Sequence, residues 1–209
     1  MSKRNYNRKD HLYMKAKEEG YQSRASYKLL ELNKKYGLLK PGFKVLDLGA
    51  WPGGWMQVAS EAVGHRGLVV GIDFVEIPQV GGANTHSLQG DVADDEIIKK
   101  AFELAGGKFD LVVSDMSPKL TGIKDLDRTA AVGCAELAFF VAQRTLKTGG
   151  NFVAKVFKGN ETEEFYRATR PFFERLVRIE LDSTRRTSNE FYIVGFGLKP
   201  VEPEKTAGG

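Results

Sequence analysis

The sequence predicts a single α/β domain in which a mostly parallel central sheet carries helices on both faces. Three observations predict it. From Pro41 onward, short β-branched runs alternate with amphipathic stretches, the signature of strand–helix–strand units. A glycine-rich turn, Gly49-Ala50-Trp51-Pro52-Gly53-Gly54, follows the first of those runs, where doubly wound sheets place a ligand-binding loop. The length of 209 residues is enough to bury one core and short for two ordinary domains.

Residues 1–20 are polar and aperiodic. Ala25, Leu29, Leu30, Leu32 and Tyr36 then recur at near-helical spacing, so a helix is expected to open near Ser23 and run to Tyr36. Pro41-Gly42 breaks it. Beyond that break the spacing predicts strands at 45–46, 68–72, 86–88, 109–114 and 152–157, with helices over 56–63, 94–104, 128–146 and 162–173 between them. Two closing strands are expected at 177–181 and 191–197. Asp94, Asp95 and Glu96 suit the capped, dipole-complementing start of a helix. The chain therefore divides into a basic N-terminal segment (1–22), the α/β domain (23–200) and a flexible Pro/Gly/Glu-rich tail (201–209).

Composition narrows the class. Hydrophobic residues at 42% and charged residues at 28% exclude disorder of the whole chain. The first residues hold no apolar stretch of the signal-peptide kind, and no apolar run approaches the roughly 18 residues of a membrane span, so a cytoplasmic protein without membrane contact is expected. One cysteine, Cys134, and three scattered histidines exclude an internal disulfide and argue against a structural zinc. Residues 1–40 hold 11 Lys/Arg against 4 Asp/Glu, although the whole chain is only +4. Cations interleaved with Tyr6, Tyr13, Tyr21 and Tyr27 suit a nucleic-acid backbone and its bases; a solvated tail kept soluble by its charge is the competing reading.

In α/β sheets of this kind ligands gather beyond the carboxyl ends of the strands, and three acids stand at such ends. Asp73 closes the second strand, where an acid accepts hydrogen bonds from ribose hydroxyls. Asp91 follows the third and could reach an adenine amine; Asp115 follows the fourth. The loop glycines Gly49 and Gly53 let the backbone approach a ligand, but they do not form a clean Gly-x-Gly-x-x-Gly fingerprint, and no Lys-Ser/Thr pair follows them as a P-loop requires. An acidic rim disfavours a pyrophosphate dinucleotide and favours a cationic, hydroxyl-bearing cofactor such as S-adenosylmethionine. Lys155 interrupts the apolar run 152–157. Burying an ammonium is costly unless it is paired, and a lysine close to Asp115 is a candidate base. Lys28 and Glu190 could complete an alternating cluster.

Four segments resemble the FtsJ/RrmJ-type ribosomal RNA 2′-O-ribose methyltransferases: Ser23-Arg24-Ala25 with Lys28-Leu29; residues 47–55; Ser114-Asp115-Met116-Ser117-Pro118; and residues 152–159, followed by Arg185 and Ser188-x-Glu190-x-Tyr192. The resemblance spans about residues 20 to 200 and implies a Rossmann-like class I methyltransferase fold. It further implies a Lys-Asp-Lys-Glu catalytic tetrad at Lys28, Asp115, Lys155 and Glu190. Contacts to S-adenosylmethionine are implied for the glycine loop (Gly49, Gly53, Trp55) and for Asp73, Asp91 and Asp115. Trp51 departs from the family pattern, which has a small residue there. The expected substrate is a uridine in the aminoacyl-tRNA-binding loop of large-subunit ribosomal RNA, met within the large subunit and entering over Arg24, Lys28, Lys34 and Lys35. Lys155 would act on the 2′-hydroxyl either as a neutral base or as an ammonium that steers the oxygen. A monomer is expected, and no metal, because methyl transfer from a sulfonium relieves charge. Competing readings are a transfer-RNA 2′-O-methyltransferase, a non-catalytic RNA-binding assembly factor, an NAD-dependent oxidoreductase and a small-molecule methyltransferase.

Overall fold

The computed structural model describes residues 11–118, 124–185 and 188–200. The expected tail at 201–209 and the first half of the basic segment, 1–10, lie outside the described residues. Seven strands form one sheet: β1 (Lys44–Leu48), β2 (Leu68–Asp73), β3 (Thr85–Gln89), β4 (Phe109–Ser114), β5 (Leu146–Phe157), β6 (Phe173–Ile179) and β7 (Glu190–Leu198). Their spatial order is β3-β2-β1-β4-β5-β7-β6. The first five run parallel, and β7 enters antiparallel between β5 and β6. The order reverses between β1 and β4, the switch point at which such sheets open a ligand crevice.

Helices α2 (Ser26–Tyr36) and α3 (Gly54–Val63) cover one face; α4 (Asp95–Ala105), α5 (Lys124–Thr145) and α6 (Asn160–Thr169) cover the other. Strand alternation divides the core accordingly. Val45, Leu111, Val113, Val153 and Tyr192 pack with Leu29, Leu32 and Met56 on the first face. Leu46, Val112, Phe152 and Ala154 pack with Ile98, Ala138 and Phe165 on the second. The Asp94 side chain accepts from Glu96 N at 2.9 Å and caps α4, as its position before the apolar period foretells. No helix among the described residues is long and apolar enough to cross a membrane.

The structure corrects four expectations. The segment read as aperiodic contains a helix, α1 (His11–Glu18). It is joined to the domain: the Tyr27 hydroxyl donates to Glu19 at 2.6 Å, Gln22 N donates to the Gln57 side chain and Gln57 donates to Gly20 O, so a division at residue 22 marks no break in packing. Helix α2 opens at Ser26, not Ser23, after a turn through Arg24 and Ala25. Helix α6 ends at Thr169, well short of residue 173, because Pro171 has no amide hydrogen to continue it; β6 starts correspondingly early. Strand β5 begins at Leu146, six residues before expected, and its register against β4 shifts between Phe109 and Leu111.

Candidate active site

Strand register sets the site. Leu48 pairs with Ile72 on one side and with Ser114 on the other, so the next residues, Gly49, Asp73 and Asp115, leave the sheet level with one another. Ser114 also pairs with Ala154, which brings Asp115 beside Lys155. Gly49 has φ +76°, and a Cβ there would collide with the Met116 side chain. Only glycine lets the loop turn this closely over β4. Gly53, at φ +101°, opens α3 with Val80 packed against it.

The three rim acids have different surroundings. Asp73 accepts from Trp51 N at 3.0 Å through one carboxylate oxygen and from Val75 N at 2.9 Å through the other, and so ties the glycine loop to the end of β2. Each oxygen retains a lone pair for a hydroxyl. Asp91 is exposed and accepts from Ala93 N. Asp115 belongs to the lysine cluster. A fourth acid, Asp47, escaped the sequence reading although it interrupts the apolar run 45–48. It is 1% exposed, and its Oδ2 has no hydrogen-bond partner among the described residues. Burial first, then the charges of Asp115 and Asp73, push its carboxyl well above the ordinary range. Asp73 and Asp91, which lie outside the lysine cluster, fit a cofactor that brings ribose hydroxyls and positive charge. Trp55 is 4% exposed, and its indole N–H donates to Ala25 O at 2.7 Å; its side chain fastens α3 to the start of α2.

Lys28, Asp115, Lys155 and Glu190 meet, although they arrive from α2, the end of β4, β5 and β7. Lys155 Nζ donates to Asp115 O at 2.6 Å and lies 3.2 Å from Asp115 Oδ1. Lys28 Nζ lies 3.6 Å from the same Oδ1 and 2.7 Å from Glu190 Oε1. The charges thus alternate Lys155, Asp115, Lys28, Glu190 and cancel. Lys155 is 8% exposed, and an amine at that depth requires such partners. Burial would raise the Asp115 carboxyl, but Lys155, then Lys28, then the Tyr192 hydroxyl outweigh it and hold the group below its usual value. Tyr192 is the second residue that sequence reasoning missed. Its hydroxyl donates to Asp115 Oδ1 at 2.7 Å, and burial followed by the charges of Asp115 and Glu190 drives its own ionisation far upward. The signal was present in Ser188-x-Glu190-x-Tyr192, since a two-residue spacing puts both side chains on one strand face.

Of the expected RNA contacts, Arg24 stands beside the cluster and donates to Ser183 O at 2.6 Å. Glu31 accepts from Asp182 N and Ser183 N, which pins the strand-connecting segment to α2. Lys34 and Lys35 are exposed on the last turn of α2, about 9–10 Å along the helix axis from Lys28, and do not join the tetrad. A cleft of about 570 Å³ opens next to the tetrad, lined by Arg24, Lys28, Phe157, Arg185, Asn189 and Glu190 among others.

The profile of the family described as FtsJ-like methyltransferase matches residues 21–198. A Methanothermobacter thermautotrophicus protein named ribosomal RNA large subunit methyltransferase E is 44% identical over 195 residues, covering 93% of this chain and 92% of its own. A Pseudomonas fluorescens protein of the same name is 40% identical, covering 88% of each chain. Among solved structures, a Plasmodium falciparum protein described as a ribosomal RNA methyltransferase superposes with a TM-score of 0.75 at 26% identity, over 85% of this chain and 98% of that one.

Proposed function

Because this chain belongs to the FtsJ-like methyltransferase family, we propose that it transfers a methyl group from S-adenosylmethionine to a ribose 2′-hydroxyl of RNA, a uridine in the aminoacyl-tRNA-binding loop of large-subunit ribosomal RNA. The observation that carries this reading is the charge-alternating Lys155-Asp115-Lys28-Glu190 chain beyond the end of β4, next to a cleft with guanidinium groups in its wall. A non-catalytic assembly factor has no need of a buried lysine, and a second half-buried one beside it, held among carboxylates. Relatives at 40–44% identity that are named for the large ribosomal subunit favour ribosomal over transfer RNA.

When bound, S-adenosylmethionine supplies an electrophilic methyl on a sulfonium. Asp73 and Asp91 would hold its ribose and adenine, and the backbone from Gly49 to Gly53 would pass close to it. Asp73 and Asp91, the rim acids outside the lysine cluster, favour its positive charge. The protein's own task is to bring a weakly nucleophilic hydroxyl into line, where positioning alone supplies several kcal/mol. Lys155 spends two N–H directions on Asp115, leaving the third for the 2′-oxygen. Asp115, held ionised by two lysines and Tyr192, keeps the Lys155 amine aimed, and the ammonium stabilises alkoxide charge as it develops. Lys28, anchored by Glu190, supplies a second cation and balances the cluster. The hydroxyl proton passes to water in the cleft as the oxygen attacks, which leaves a neutral methyl ether and gives the oxygen the alkoxide character that Lys155 stabilises.

Mapping 2′-O-methyl groups on ribosomal and transfer RNA from cells with and without the protein tests the assignment. The expected result is loss of one modified uridine in large-subunit RNA. An unchanged ribosomal map with a missing transfer-RNA modification would replace the substrate.

A further inference from the structure

Phe157 has a surrounding that folding does not account for. On β5 the residues Phe152, Ala154 and Val156 point into the core under α5 and α6. The alternate set, Val153, Lys155 and Phe157, faces the α2 side. Lys155 pairs with Tyr192, and Phe157 pairs with Glu190. Cross-strand partners project from the same side of the sheet, so Phe157 lies one step outward from Lys155, about 6–7 Å along the strand. There it forms a half-buried ring in the wall of the cleft, whose other lining residues are Arg24, Ala25, Lys28, Arg185, Ser188, Asn189 and Glu190. The ring is the cleft's aromatic surface among charged, polar and small neighbours.

The backbone beneath the ring is fixed on both sides. Phe157 O accepts from the Thr162 hydroxyl at 2.6 Å, and Thr162 is 1% exposed; Lys158 N donates to Asn189 O at 3.1 Å. A rigid aromatic face costs little ordering entropy on binding. The step of about 6–7 Å between the two strand positions is of the size of one nucleoside, from the sugar to its base. Resting on the 2′-O-methyltransferase reading above, we propose that Phe157 is the stacking platform for the base of the nucleotide being methylated, with the sugar then directed at Lys155. Stacking uses the π-face that every base has, so Phe157 supplies affinity and placement and leaves base identity to other contacts.

The test compares wild type with Phe157→Ala, Phe157→Leu, Phe157→Tyr and Phe157→Trp, using large ribosomal subunits from cells lacking the protein and measuring S-adenosylmethionine binding separately. Loss of one base stack lowers kcat/KM by about 5- to 150-fold. That loss is expected for Ala and for Leu, carried mainly by KM, with Tyr and Trp within about threefold of wild type and cofactor affinity constant throughout. Leu fills the space of the ring without its π-face, so the Leu-against-Tyr comparison decides the question even if the Ala variant folds poorly. Leu performing like Phe while wild type is active would overturn the stacking role alone. A wild type that transfers no methyl to subunits would overturn the functional reading and this proposal with it.

Discussion

Lys155 grips Asp115 at two points, its main-chain oxygen at 2.6 Å and its carboxylate at 3.2 Å. The side chain of Asp115 is therefore both the orienting partner of one lysine and, at 3.6 Å, the counter-charge of another, Lys28. Removing it leaves the buried Lys155 ammonium without a carboxylate partner and leaves half-buried Lys28 to Glu190 alone.

Asp115→Ala should accordingly cost about 3–5 kcal/mol of stability, the usual penalty for orphaning a buried charge, and should abolish methyl transfer. The pH dependence has a definite sign. A carboxyl whose folded-state value lies below its unfolded value contributes stability that is present above about pH 3.9 and is lost as pH falls further toward the folded value. Urea titrations from pH 2 to 7 should show an acid-side decline in wild type that is shallower in Asp115→Asn. Identical acid limbs would contradict the ionised assignment.

Tyr192→Phe deletes one hydrogen bond to that charged carboxylate. Such a bond is worth about 1.5–3 kcal/mol. The variant should lose stability in that range and keep measurable methyl transfer, because the Lys155 contact to Asp115 O is untouched. A variant as stable as wild type in chemical denaturation would show that the hydroxyl contributes nothing net.

Asp47 has the opposite linkage. Its folded-state value is raised, so the native state binds more protons than the unfolded chain, and stability falls as pH climbs from about 3.9 toward the folded value. Asp47→Asn keeps the shape of the neutral acid and removes the proton. Its stability relative to wild type should therefore grow with pH across that window. A pH-independent difference in unfolding midpoint would mean that Asp47 is not driven upward by its surroundings.

A truncation of the basic front should stop before α1, since Ala16 is buried and Glu19 and Gly20 hold the body of the domain. Deleting residues 1–10 removes Lys3, Arg4, Arg8 and Lys9 and should reduce the slope of log affinity for ribosomal RNA against log salt by up to about 3. An unchanged slope would assign those cations to solvent.

The sequence made the alternating sheet legible because strand and helix periods differ; the strand-end rule singled out Asp73, Asp91 and Asp115, and Lys155 stood out as a charge inside an apolar run. Other features depended on distant partners. Helix α1 buries only Ala16 and is too short to stand alone; its anchors, Tyr27 and Gln57, lie many residues away. The meeting of Lys28 with Glu190 spans 162 positions of sequence, which no local pattern encodes, and it came from family resemblance. Trp55 shows the converse: a motif residue expected at the cofactor has its polar atom committed to Ala25 O.

The central claim is that the Lys155 amine acts on the ribose oxygen. Its most direct measurement is methyl transfer by Lys155→Ala beside S-adenosylmethionine affinity measured by calorimetry. The account predicts turnover reduced to background with the dissociation constant within about threefold of wild type; substantial turnover with intact binding would contradict it.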